Sequence, residues 1–134
     1  MQLMIPPSPA HLAALRRAAR ASLGDVSSDV AEEIVLAVNE AATNAILYGS
    51  GEGQPVEVAV AVRADWVEAT VLDHGPALPP SSLLAGGDTE ALSAHGRGLW
   101  LLRRLVDEVR LERVRRGTRV TLRRWIGPPS TLAG

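Results

Sequence analysis

The sequence predicts a two-layer α/β (α+β) sandwich, an antiparallel sheet covered by helices on one face. Three observations carry that expectation. Residues 10–48 hold two stretches whose apolar residues recur at helical spacing. Residues 56–72 and 109–126 alternate apolar and polar side chains with a period of two. The paired strands are joined by the short reversals Ala64-Asp65 and Arg115-Arg116-Gly117, which suit antiparallel neighbours backed by helices on one side only.

The elements follow in order. Leu3, Met4 and Ile5 form a short apolar run stopped by Pro6-Pro7, an edge strand. Over residues 10–23, Leu12, Leu15, Ala18, Ala19 and Leu23 share one face, with Arg16, Arg17 and Arg20 opposite, so an amphipathic helix is expected. Gly24 ends it, and Asp25, Ser27 and Ser28 are cap candidates for the next helix. That helix, residues 29–48, is rich in alanine. Ile34, Val38, Ala41 and Ala45 fill its central stripe, Val35, Ala42 and Ile46 lie beside it, and Glu40 and Asn44 share an edge one turn apart.

Residues 49–53 read as a glycine-rich turn, and Val56, Val58, Val60 and Val62 then alternate through a strand. A second strand runs from Trp66 to Leu72 and ends at Asp73. Residues 76–95, rich in Pro, Gly and Ser, have the character of a lid or a disordered segment. A helix over residues 99–106 starts directly after Gly96-Arg97-Gly98. The final hairpin pairs residues 109–114 with 118–126, placing Val109, Leu111, Val120 and Leu122 on one face and Arg110, Glu112, Arg119, Thr121 and Arg123 on the other. The expected organisation is one domain over residues 1–126 and a disordered tail over 127–134.

Composition narrows the chemistry. The chain of 134 residues has a formal net charge of −1, so no global attraction to nucleic acid or anionic membrane is expected. No apolar run approaches membrane-spanning length, and the first residues lack a secretory signal pattern. There is no cysteine, hence no disulfide framework and no thiolate metal site, and a cytoplasmic location is expected. There is also no lysine, which excludes a Walker-type phosphate loop, Schiff-base catalysis and the phosphate-pairing lysine of the protein-kinase fold. Any phosphate must be held by backbone N–H groups, arginine or a metal.

Three short segments carry the candidate site. Glu40 is an acidic group on an alanine-rich helix; it is either a solvated edge residue or a general base for a hydroxyl attacking a γ-phosphate. Asn44 has a carboxamide oxygen of the type Mg²⁺ accepts. Asp73 closes a strand before Gly75, which is ordinary turn chemistry or, alternatively, a desolvated acceptor for the exocyclic amine of adenine beside a glycine that admits the ring. Gly96, Arg97 and Gly98 lead into Leu99 and a helix N-terminus, where free N–H groups favour an anion. They are not a dinucleotide fingerprint, since no glycine stands three residues past Gly98. Thr118 follows Gly117 in the last hairpin, within conceivable reach of a nucleotide base. His11, His74 and His95 lack metal-ligand spacing, and Trp66, Trp100 and Trp125 read as packing or rim residues.

Taken in this order, Val38-Asn39-Glu40-Ala41-Ala42-Thr43-Asn44-Ala45, Val71-Leu72-Asp73-His74-Gly75-Pro76 and Gly96-Arg97-Gly98-Leu99 resemble the N, G1 and G2 boxes of the GHKL ATPase/kinase superfamily, whose Bergerat fold has a mixed, mostly antiparallel sheet. Together with Arg116-Gly117-Thr118-Arg119-Val120, they are similar to the anti-sigma-factor serine kinase branch. The resemblance implies a cytoplasmic, often dimeric protein that binds Mg·ATP, sequesters a sigma factor and phosphorylates a serine on an anti-sigma-factor antagonist, without contacting nucleic acid or membrane. It further implies Glu40 as base, Asn44 as Mg²⁺ ligand and Asp73 with Gly75 as adenine clamp. Gly96, Arg97, Gly98 and Leu99 would bind phosphate, Thr118 would contact the base, and residues 76–95 would form the ATP lid. Sporulation and stress kinases of that branch carry Arg-Ser-Gly into the second box; this chain has Ala94-His95-Gly96-Arg97. The alternatives are a non-catalytic ATP-binding interaction regulator, a GHKL ATPase, or the catalytic fragment of a histidine kinase. The last calls for a phosphoacceptor helix pair, which residues 1–8 do not resemble.

Overall fold

A computed structural model describes residues 1–49, 53–75 and 98–127. The elements run β1 (Gln2–Ile5), a 3₁₀ turn (Pro9–His11), α1 (Leu12–Ser22), α2 (Ser28–Asn44), a π turn (Ala45–Gly49), β2 (Val56–Val62), β3 (Trp66–Leu72), α3 (Gly98–Leu105), β4 (Glu108–Val114) and β5 (Gly117–Trp125). The five strands form one sheet in the order β1-β2-β3-β5-β4, and every neighbouring pair is antiparallel. The sheet is therefore antiparallel among the described residues, as the alternating strands and short reversals predict. β1 is the expected edge strand.

Register explains which residues enter the core. Val58 pairs with Val71, Val60 with Ala69, and Ala69 with Leu122, so successive strands put their apolar residues on the same side. Those residues are buried against Leu15, Ala19, Ile34, Val38, Ala42 and Leu102 of the three helices, forming one core. Each fully buried Leu, Ile or Val contributes about 1.5–3 kcal/mol relative to exposure. Arg124, on the same side of β5, reaches Glu33 of α2 at 3.2 Å and ties sheet to helix. The opposite face carries the charges: Arg123 donates to Glu68 at 3.1 Å, and Arg119 lies 3.9 Å from Glu112. Half-exposed pairs of this kind add little stability.

Two local features differ from expectation. Ser27 occupies the N-cap of α2 but its hydroxyl makes no capping hydrogen bond; Asp29 supplies the acidic charge in the first turn instead. The helix expected to continue to Tyr48 ends as an α-helix at Asn44 and widens into the π turn Ala45–Gly49. Such widenings often accompany functional sites.

At the end of β3, Gly117 has a φ of +130°, and a Cβ there would fall 2.7 Å from the carbonyl carbon of Asp73. Only glycine fits this crossing of β5 over the end of β3. Gly117→Ala is expected to destabilise the fold by about 1–3 kcal/mol from backbone strain, with the steric overlap added to it. Urea denaturation measures this, and an unchanged midpoint contradicts the crossing. Trp66 and Trp125 pack edge to face at 5.0 Å, and Trp100 lies exposed beneath Arg104, in keeping with packing and rim roles. No helix among the described residues is long and apolar enough to cross a membrane.

Candidate nucleotide site

The site is built around Asp73, one of two buried polar residues at the end of the β3–β5 ladder. Asp73 is 5% exposed and Thr118 is 8% exposed, although both could have been solvated at a strand end. The Asp73 backbone N–H donates to the Thr118 carbonyl at 3.0 Å, extending the ladder by one residue. Asp73 Oδ1 then accepts two backbone N–H groups, from Gly75 and from Thr118, each at 3.2 Å. This arrangement fixes the carboxylate plane. Burial raises the Asp73 pKa from its ordinary value; the N–H groups of Gly75 and Thr118 and the nearby His74 oppose that rise. Net, the desolvated carboxylate is held at a free-energy cost.

No described residue donates to the second oxygen, Oδ2. It lies against Gly49, in the space a Cβ would take: a Cβ there would overlap Oδ2 and stand 2.6 Å from Asp73 Cγ. A buried acceptor with no donor among the described residues, beside Gly49 and Gly75, suits a planar ligand presenting an amino group. Gly49 is a site residue that sequence reasoning missed. It reads as one more glycine in a Gly-Ser-Gly turn, and only the close approach of β3 shows its purpose.

Gly49 also links the clamp to α2, because the π turn leads to it directly from Asn44. Glu40 and Asn44 are both half-buried on the edge of α2, as their spacing predicts. The neighbouring carboxamide is already engaged: Asn39 Oδ1 accepts from Arg16 of α1 at 2.9 Å, and the Asn39 carbonyl accepts from the Thr43 hydroxyl at 2.7 Å. Asn44 therefore remains the carboxamide available on that edge among the described residues. Gly98 is the first residue of α3, which packs beside α2. Leu99 follows in the first turn of α3. The structure thus brings Asp73, Gly75 and Thr118 into direct contact and joins them through Gly49 to the end of α2. Gly96, Arg97, the expected lid over residues 76–95 and the tail from residue 128 lie outside the described residues.

His74 is not solitary: its Nε2 lies 2.6 Å from Glu57 Oε2 on β2, bracing the strand end beside the clamp. No group of three or more His, Asp or Glu residues poised for a metal exists among the described residues. Asn44 is a hard oxygen donor of the type Mg²⁺ accepts, so it would suit a Mg²⁺ ion held mainly by phosphate oxygens and water.

The model of the histidine kinase-like ATPase domain matches residues 5–124. The chain belongs to that family. The solved structure of the RsbU and RsbW domains of Rv1364c from Mycobacterium tuberculosis has a similar fold, with a TM-score of 0.71 and 22% identity over 96% of this chain and 32% of that one. The histidine kinase domain of the Erythrobacter litoralis EL346 blue-light activated histidine kinase is also similar, with a TM-score of 0.59 and 22% identity over 94% of this chain and 62% of that one. This chain thus spans about a third of the first structure and less than two thirds of the second. No curated protein matches the sequence. Family and fold together make this a GHKL-like, ATP-binding domain.

Proposed function

We propose that the protein is a cytoplasmic anti-sigma-factor-type regulator that binds Mg·ATP, phosphorylates a serine on an antagonist protein and holds a sigma factor. The observation that carries the nucleotide part is the buried Asp73 carboxylate, one oxygen pinned by Gly75 and Thr118 and the other against Gly49 with no donor among the described residues. Asp73 Oδ2 accepts the exocyclic amine of adenine, Gly75 admits the ring, and Thr118 borders the base. The N-terminal turn of α3, from Gly98 and Leu99, offers its free N–H groups to phosphate, and the motif assigns Gly96 and Arg97, outside the described residues, to the same task. Asn44 supplies the protein oxygen for Mg²⁺, which when bound neutralises charge on the triphosphate.

Glu40 is the base. It takes the proton of a serine hydroxyl as the seryl oxygen bonds to the γ-phosphorus and the bond to the ADP oxygen breaks. Its place on α2, one turn before Asn44, keeps base and metal ligand on one rigid edge. The partner assignment is supported by the ordered motifs shared with the anti-sigma-factor serine kinase branch, including the Gly117-Thr118 hairpin. The chain also shares its fold with the structure of the RsbU and RsbW domains of Rv1364c over 96% of its length.

A second reading is favoured by Ala94-His95-Gly96-Arg97, where the branch's kinases carry an arginine before the first glycine. Without that arginine, ATP would organise a docking surface and no phosphate would be transferred. Incubation with Mg·ATP and a candidate antagonist separates the two. Stoichiometric phosphoserine is expected; bound ATP with an unmodified antagonist would establish the non-catalytic regulator.

A further inference from the structure

Gly49 differs from the glycines that the backbone demands. Among the described residues, the positive-φ glycines are Gly53, Gly117 and Gly127, so the conformation at Gly49 is open to an L side chain. What excludes a side chain is Asp73: an added Cβ would lie 2.6 Å from its Cγ and 3.2 Å from its Cβ, against a comfortable carbon–carbon separation of about 3.5–4.0 Å. Relief of that overlap has to disturb one of two held arrangements. The carboxylate is pinned through Oδ1 by the Gly75 and Thr118 N–H groups. The π turn carrying Gly49 is rooted at Ala45, which is buried in the core.

We infer that Gly49 is a positioning residue for purine selectivity: its bare Cα holds open the space into which Asp73 Oδ2 points, and so sets the carboxylate to read a 6-amino group. The inference rests on the reading of Asp73 as an adenine clamp. A side chain at position 49 pushes the carboxylate off its two N–H donors, and the site then loses its means of telling a 6-amino from a 6-oxo purine. Because Gly49 ends the segment that begins after Asn44, the same contact fixes the metal-ligand end of α2 against the base end of the site. Glycine here joins the α2 end of the site to the β3 end.

The test compares Mg·ATP with Mg·ITP, which differ in having a 6-amino or a 6-oxo group, by calorimetry on the parent and on Gly49→Ala. The parent is expected to favour ATP by tenfold or more. Gly49→Ala is expected to lose at least tenfold in ATP affinity with ITP affinity unchanged, so that the ratio collapses toward one. A purely structural defect lowers both affinities together and keeps the ratio, which overturns the inference. A parent that does not distinguish the two nucleotides instead overturns the adenine-clamp reading itself. Should Gly49→Ala not fold, the double variant Gly49→Ala/Asp73→Ala removes the clashing carboxylate and is expected to fold as Asp73→Ala alone does. If the double variant is as unfolded as the single one, the proposed contact is not what position 49 serves.

Discussion

Asp73→Asn is expected to abolish ATP binding while leaving the protein folded. The two N–H groups of Gly75 and Thr118 decide how the new amide sits, because each requires an acceptor. The asparagine oxygen takes the place of Oδ1, and the NH₂ replaces Oδ2. A donor then faces the donor on adenine. A hydrogen bond to a charged group contributes about 1.5–3 kcal/mol, and a buried group left unpaired adds a further penalty. At about 1.4 kcal/mol per decade, affinity falls by roughly a hundredfold or more. Calorimetry reads this directly, and unchanged affinity removes Asp73 from the adenine site.

Stability is expected to move the other way. Burial lifts the Asp73 pKa above its unfolded value, so the folded protein binds that proton more strongly than the unfolded chain. Stability contributed by this group therefore falls as pH rises through the window between the two values, and returns on acidification. Asp73→Asn carries no such charge. The variant should be at least as stable as the parent at neutral pH, with the difference shrinking toward the acid end of the carboxylate range. A variant less stable than the parent at neutral pH would mean that the carboxylate supports the fold.

Glu40→Ala is expected to divide binding from chemistry. Glu40 is half-buried on α2 and no described residue forms a hydrogen bond with its side chain, so its removal breaks no contact that the clamp needs. ATP affinity should stay within about threefold of the parent. A positioned general base contributes about 10²–10⁴-fold to rate, and phosphotransfer should drop by that factor in single-turnover assays with a saturating antagonist. Transfer at the parental rate would show that another group takes the serine proton.

Much of this site is legible in the sequence. The alternation of Val56, Val58 and Val60 predicted which side chains enter the core, because a period of two permits only one buried face. Motif order singles out Asp73, Gly75 and Thr118, and the hydrogen bonds bring them into one cluster. The rest depended on contacts distant in sequence. The pairing of β3 with β5 across more than forty residues leaves no local trace. The π turn has no side-chain signature either, since Ala45, Ile46 and Leu47 suit an α-helix equally well. Gly49 escaped for the same reason: its requirement comes from a carboxylate on another strand.

A crystal structure of the protein with Mg²⁺ and a non-hydrolysable ATP analogue is the most direct measurement. The 6-amino group should lie within hydrogen-bonding distance of Asp73 Oδ2, the metal on the Asn44 oxygen, and the phosphates over the first turn of α3. A nucleotide bound on the open face of the sheet, or seated with its base away from Asp73, would contradict the assignment of this cleft.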